Sequence, residues 1–244
     1  MKQSTSSEIQ LLPDEELNLF LDGRLRLIQS KEGYRFSVDA VFLSEFVTIR
    51  PDDVVIDFGV GCGVIPLILS LTRPVRYALG IEIQEDLANQ AARNVALNGL
   101  EGKIYIIQGD IKHPPFEGKI ANVVVCNPPY RKVKSGRLNP DMRRAIARHE
   151  LTISIDDILR TAGAVLRKKG RLAIIYPAER LADILARMRP HNLEPKRLQL
   201  NYPNLNSGAK LALIEACLAG KPGLKILPPL IGQGKFSLIT GGRP

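Results

Sequence analysis

The run Asn127-Pro128-Pro129-Tyr130, directly after the apolar stretch Val123-Val124-Val125-Cys126, combines residue types that act together on a planar amino group. An amide or exocyclic ring nitrogen is a poor nucleophile because its lone pair is delocalised. The Asn127 side-chain oxygen and the Pro128 carbonyl can both accept hydrogen bonds from such an NH2 group. This draws the nitrogen toward tetrahedral geometry and aims its lone pair. The prolines, Pro128 and Pro129, hold the acceptors rigid and limit reorganisation during reaction. Tyr130 offers a flat face on which a planar target can stack. The bland alternative is a strand ended by two prolines with a tyrosine packed beside them.

A second constellation is Asp57-Phe58-Gly59-Val60-Gly61-Cys62-Gly63, immediately after Val54-Val55-Ile56. Glycines at such a turn let the backbone bend sharply and come close to a ligand. A dinucleotide fingerprint places a further glycine at position 64; this chain has Val64, with Pro66 following, so the loop is not built around a pyrophosphate. Glu82 ends the next apolar run, 25 residues after Asp57. There an acidic residue can grip the hydroxyls of a sugar. Asp110, in Gln108-Gly109-Asp110, ends the third run in the same way. Each acid alone reads as a solvated strand end; three on successive strands read as a site.

Stepping outward from these residues, apolar β-branched runs recur at Asp53–Asp57, Arg76–Glu82, Lys103–Gln108, Ala121–Asn127 and Arg171–Tyr176. Helical periodicity lies between most of them. Gln84–Asn98 is one such stretch, stopped by Gly99; Asp156–Lys169 is another, with Asp156 as N-cap and Gly170 as stop; Ala178–Arg189 is a third. Such alternation predicts an α/β fold with a mostly parallel sheet covered on both faces, and ligands bound beyond the carboxyl ends of its strands. The runs Lys196–Tyr202 and Ala209–Ala219 are expected to pair as an edge, and Val38–Val47 to form a helix capped by Ser37.

The Asp-x-Gly-x-Gly-x-Gly run, with its strand-end acids, resembles the class I S-adenosylmethionine-dependent methyltransferases over about Asp52 to Ala219. The resemblance implies a Rossmann-like fold: a seven-stranded, mostly parallel sheet with helices on both faces and an antiparallel edge. It implies S-adenosyl-L-methionine as cofactor, with Asp57, Gly59, Gly61 and Gly63 around its methionine part, Glu82 on the ribose hydroxyls and Asp110 against the adenine amino group. Asn127, Pro128, Pro129 and Tyr130 become the catalytic segment, with Asn127 also beside the cofactor. Because the donor is a sulfonium, no strong base is needed before transfer, and the absence of an obvious His or Cys catalyst is no objection. Cys126 is read as a buried strand residue; a covalent role is its alternative.

The tetrapeptide is shared by enzymes that methylate adenine N6 in nucleic acids, guanine N2, and glutamine amides in release factors. Two features narrow the choice. Between Arg131 and His149 stand seven cations (Arg131, Lys132, Lys134, Arg137, Arg143, Arg144, Arg148) and one acid, Asp141. They are candidate RNA-binding residues, weighed against a solvated loop. The leader Gln29–Leu43, with its Tyr-Arg-Phe-Ser-x-Asp segment, closely resembles the valine-tRNA adenine-N6 methyltransferase family, whose resemblance runs over about Leu17 to Ala219. That likeness implies Phe36, Ser37 and Asp39 at the methionine end of the cofactor, and an adenine next to the anticodon as target. The tail Lys221–Pro244 departs from the family pattern.

Composition sets the remaining bounds. The 244 residues carry 34 Lys and Arg against 25 Asp and Glu, a formal charge of +9. Such an excess suits a polyanion. At 45% hydrophobic and 24% charged residues the chain is neither disordered nor membrane-like. The most apolar window, Val54–Leu71, is broken by Asp57 and three glycines. Three cysteines without metal spacing predict no disulfide framework and no metal site. The expectation is one methyltransferase domain over 1–244: a leader (1–48) covering the cofactor site, a core (49–220) and a peripheral tail (221–244). It is expected to be cytoplasmic, with tRNA as substrate, no membrane association, no stable protein partner, and a monomeric or weakly dimeric state. The positive excess, including Arg24, Arg26, Lys31 and Arg35 of the leader, is expected to ring the pocket mouth. Two competing readings are a protein-glutamine N5-methyltransferase acting on release factors and a non-catalytic nucleic-acid-binding protein. The short leader argues against the first, the intact motifs against the second.

Overall fold

In the computed structural model, which describes residues 10–32, 35–128 and 153–232, the alternating apolar runs become neighbours in one sheet. Strands β3 (Asp53–Phe58), β4 (Val75–Glu82), β5 (Ile104–Gln108), β6 (Ala121–Cys126) and β7 (Leu166–Pro177) run parallel in the order β7-β6-β3-β4-β5. Beyond β7 the chain adds β8 (Leu193–Tyr202) and β9 (Leu211–Leu218), with β9 antiparallel to both neighbours. The seven-stranded, Rossmann-like sheet with an antiparallel edge is therefore present. Two short strands, β10 (Lys225–Ile226) and β11 (Leu230–Ile231), extend it by pairing parallel to the outer edge of β8.

Both faces of the sheet are buried, which is why its central strands are continuously apolar rather than alternating. In β6, Val123 and Val125 face one core, and Val124 and Cys126 the other. The first core is covered by α1 (Val38–Phe46), α2 (Val64–Thr72) and α3 (Glu85–Leu97), the second by α4 (Ile155–Val165) and α5 (Leu181–Met188). Ahead of α1 an antiparallel hairpin, β1 (Glu15–Phe20) and β2 (Leu25–Ser30), inserts Leu25 and Leu27 into the first core.

Two local expectations are corrected. The N-cap of α4 is Ser154, not Asp156: the Ser154 hydroxyl accepts from the Asp157 amide (3.1 Å), and the Asp157 carboxylate accepts from the Ser154 amide (3.1 Å). This reciprocal pair satisfies two donors at once. Asp156, the second residue of the helix, reaches Arg187 and His191 instead. The same helix ends at Val165 rather than Lys169, because Leu166 already pairs with Ala121 in the sheet. Arg167–Gly170 then form an irregularity in that ladder, and a Cβ on Gly170 would lie 2.8 Å from the Arg167 carbonyl oxygen. Ser37 does stand at the N-cap of α1, but its side chain makes no capping hydrogen bond.

The far end of α1 is tied to the sheet by buried charges. Arg171 pairs with Asp53 and donates to the Thr48 carbonyl (3.2 Å), while Glu215 accepts from the Thr48 amide (2.7 Å) and from Arg197 (3.1 Å). Breaking one partner of such a buried pair typically costs about 3–5 kcal/mol.

Candidate active site

The parallel strands end together on one side, and their terminal residues make the site. Phe58 of β3 is registered with Ile81 of β4 on one flank and Cys126 of β6 on the other; Glu82 of β4 is registered with Gln108 of β5. Strands lie about 4.8 Å apart. Asp57, Glu82, Asp110 and Asn127 are thus brought to one edge although far apart in the chain.

After Phe58 the backbone enters the left-handed region at Gly59 (φ 75°), Gly61 (φ 54°) and Gly63 (φ 87°), a conformation that glycine adopts without strain. The amides of Gly59 and Val60 both donate to the Ile81 carbonyl (2.9 and 3.0 Å), folding the loop back over β4. A Cβ added at Gly59 would meet nothing within 4 Å, so this part of the loop is open to a ligand. On the other side β4 passes very close beneath: a Cβ on Gly80 would sit 2.7 Å from Val60 Cγ2.

The two buried acids of the site have different surroundings. Glu82 accepts from the Gly61 amide (3.0 Å) and the Gln84 amide (3.0 Å). It therefore shapes the loop as well as facing it. Asp57 is 1% exposed, and neither of its carboxyl oxygens has a hydrogen-bond partner among the described residues. Burial, and secondarily the nearby charge of Glu82, push its carboxyl well above the usual range. A buried acid without donors is costly. The group that best completes it is a cation carrying several donors.

Asp110 is half-exposed and accepts from the Lys112 amide (2.9 Å), with Lys112 Nζ 3.6 Å away. It lines a shallow, solvent-open pocket with Gly59, Ile81, Ile83, Gly109, Ile111 and Ile153. Ile83, Ile111 and Ile153 give this slot the apolar walls that a flat ring needs, with a carboxylate at its rim. Sequence reasoning did not single them out. The sequence signal was partial: Ile83 and Ile111 directly follow the strand-end acids Glu82 and Asp110, whereas Ile153 reaches the pocket only through the fold.

Asn127 and Pro128 follow β6 immediately, half-buried and buried respectively, between the ends of β3 and β7. Cys126, just before them, is buried with its thiol 3.5 Å from the Phe58 carbonyl oxygen, and burial pushes its pKa well up. Cys62 is pushed up to about 12 by burial. Burial thus disfavours the thiolate that a nucleophilic cysteine needs at both positions. Pro129, Tyr130, Arg131, Lys132, Lys134, Arg137, Arg143, Arg144 and Arg148 lie outside the described residues.

Phe36, Ser37 and Asp39 stand at the start of α1, where Phe36 packs edge-on against Phe20 (5.2 Å) and its amide meets Gln29 Oε1 (3.3 Å). None of the three lines the pocket beside Asp110. The leader cations are engaged away from that pocket: Arg35 with Glu16, Lys31 with the Pro13 carbonyl and Arg24 with the Leu21 carbonyl within the leader, and Arg26 with the Leu97 carbonyl at the end of α3.

These residues fit S-adenosylmethionine on the structure's own terms. The donorless Asp57 suits its ammonium group, the open face at Gly59 admits its backbone, and the isoleucine slot with Asp110 suits an aminopurine.

Comparison with known proteins agrees. The model of the methyltransferase small domain matches residues 37–187. A tRNA1(Val) (adenine(37)-N6)-methyltransferase of Porphyromonas gingivalis is 32% identical over 189 residues, covering 74% of this chain and 73% of the relative. Its namesake from Parabacteroides distasonis is 29% identical, over 83% and 86%. Among solved structures, a predicted O-methyltransferase of Agrobacterium tumefaciens superposes with a TM-score of 0.64 at 19% identity, over 79% of this chain and 86% of that one. At that identity the likeness speaks for the fold.

Proposed function

The chain belongs to the methyltransferase small domain family, and from that premise we propose that it methylates the N6 amino group of an adenine in tRNA, at position 37 of a valine tRNA. The observation that carries the reading is the juxtaposition set by the Phe58–Cys126 register: the Asn127-Pro128 acceptors stand beside the Gly59–Gly63 loop. When bound, S-adenosylmethionine supplies an electrophilic methyl group on a sulfonium.

The chain's own residues do the rest. Asp57 receives an ammonium group, and Glu82, held in place by Gly61 and Gln84, accepts from ribose hydroxyls. Asp110 accepts from an aminopurine lying among Ile83, Ile111 and Ile153. Asn127 Oδ1 and the Pro128 carbonyl accept hydrogen bonds from the target amino group, so the nitrogen pyramidalises and its lone pair withdraws from the ring to point at the methyl group. Pro128 and Pro129 restrict the acceptors to that geometry. Tyr130 stacks on the extruded base. The cations from Arg131 to Arg148 neutralise the phosphates on either side. The amino group becomes more acidic once alkylated and releases its surplus proton to water, which is why no histidine is required.

The leader, core and tail act in this reading as one domain over 1–244, working in the cytoplasm as a monomer or weak dimer. No helix among the described residues is long and apolar enough to cross a membrane. The test is transfer of labelled methyl from S-adenosylmethionine to unmodified tRNA, DNA and release factor offered separately. Label in tRNA adenine supports the reading. Label confined to release factor, or to none of them, overturns it.

A further inference from the structure

The outer edge of β2 is closed by two asparagine side chains rather than by a third strand. Asn98, which caps the end of α3, accepts from the Arg26 amide (2.9 Å) and donates to the Arg26 carbonyl (2.6 Å). Asn94, one turn earlier, does the same for the next outward-facing residue: it accepts from the Ile28 amide (2.7 Å) and donates to the Ile28 carbonyl (3.1 Å). Each side-chain amide acts as one residue of a missing strand. Residues four apart on a helix share a face, and residues two apart on a strand share an edge, so the two spacings match.

The two asparagines differ in one respect. Asn94, 0% exposed, also donates to the Cys62 carbonyl (2.9 Å), between Gly61 and Gly63 of the glycine loop. Asn98 does not reach that loop; its remaining bond is to the Asn94 carbonyl (2.8 Å). From Ile28 the connection continues along the leader: Gln29, 2% exposed, receives the Phe36 amide at the start of α1. One buried amide therefore joins the loop beside the proposed cofactor site to the hairpin that sets where the leader enters α1.

We propose that Asn94 is a positioning residue that couples the leader to the glycine loop, so that filling the cofactor site and ordering the β1–β2 hairpin are one linked event. This rests on the reading that the Gly59–Gly63 loop holds S-adenosylmethionine. Linkage makes the effect reciprocal: whatever steadies the Cys62 carbonyl steadies Ile28, and the reverse. A merely structural asparagine stabilises the hairpin whether or not the site is filled.

Hydrogen exchange of the full chain, read on the peptide spanning 24–30 with and without S-adenosylhomocysteine, separates the two. In the unaltered chain the ligand is expected to slow exchange of this peptide about tenfold. Asn98→Ala raises exchange throughout but keeps the ligand's protection, and its affinity stays within about twofold. Asn94→Asp keeps the size and the acceptor for the Ile28 amide but loses both donations. It is expected to lose the protection and bind S-adenosylhomocysteine about tenfold more weakly, with a melting temperature below that of Asn98→Ala because its buried carboxyl faces the Ile28 and Cys62 carbonyls. Retained protection in Asn94→Asp overturns the coupling. So does a loss of affinity that tracks thermal stability equally in both variants. Absence of any ligand binding by the unaltered chain overturns the cofactor reading itself, and the coupling with it.

Discussion

Asp57, one residue before the end of β3, and Glu82, at the end of β4, are buried carboxyl groups, yet among the described residues backbone amides meet Glu82, through Gly61 at 3.0 Å and Gln84 at 3.0 Å, and not Asp57. Glu82 is paired before any ligand arrives. Asp57 has no donor among the described residues, and that asymmetry bears on how the site responds to pH and to substitution.

The raised pKa of Asp57 makes stability fall with pH. In this group the folded chain retains a proton that the unfolded chain releases in the ordinary carboxylate range, near pH 4. Above that range the folded state binds more protons than the unfolded one, so the unliganded protein loses stability as pH rises toward the raised value. Asp57→Asn is expected to flatten this slope in thermal unfolding while weakening binding of S-adenosylhomocysteine by about tenfold or more. A slope unchanged by Asp57→Asn assigns the dependence to another group.

Asn127→Ala is expected to reduce methyl transfer by at least about 100-fold. Because its proposed partner is the target amino group, cofactor affinity measured by calorimetry should stay near normal. Equal loss of both would place Asn127 in the cofactor site alone.

Gly80→Ala puts a methyl group 2.7 Å from Val60 Cγ2, with little room for the loop to yield. It is expected to cost about 1–3 kcal/mol and to weaken cofactor binding. Adding Val60→Ala removes the Cγ2 contact but leaves the one to Val60 Cβ at 2.9 Å, so recovery should be partial. A double-mutant cycle in urea measures that coupling.

Cys126→Ala is expected to retain transfer activity and lose about 1 kcal/mol of stability. The thiol is buried against the Phe58 carbonyl and holds its proton. Inactivity with the fold intact would restore a covalent route.

The parts of this fold that were legible in the sequence are those decided by neighbours in the chain. The β-branched runs marked β3 to β7 to within a few residues except at the start of β7, and Gly59, Gly61 and Gly63 marked a turn that needs positive φ. The late runs marked the antiparallel pair β8 and β9. Misreadings fell where two local signals compete. Both Ser154 and Asp156 can cap α4, and the choice goes to the residue whose partner, Asp157, returns the hydrogen bond. Arg167–Lys169 continue a helical pattern that ends because Leu166 finds Ala121 in the sheet.

The sequence by itself determined which residue types stand at the strand ends, and from them the chemistry: three acids, three glycines and a rigid pair of acceptors. Only the tertiary structure decided how they differ. That Glu82 is tied to Gly61, that Asp57 is buried without a donor among the described residues, that Ile83, Ile111 and Ile153 wall one slot, and that Asn94 joins Ile28 to Cys62 all depend on residues remote in sequence. Spacing along a chain sets backbone conformation, whereas burial, hydrogen-bond partners and proton affinity are set by what the folded chain brings alongside.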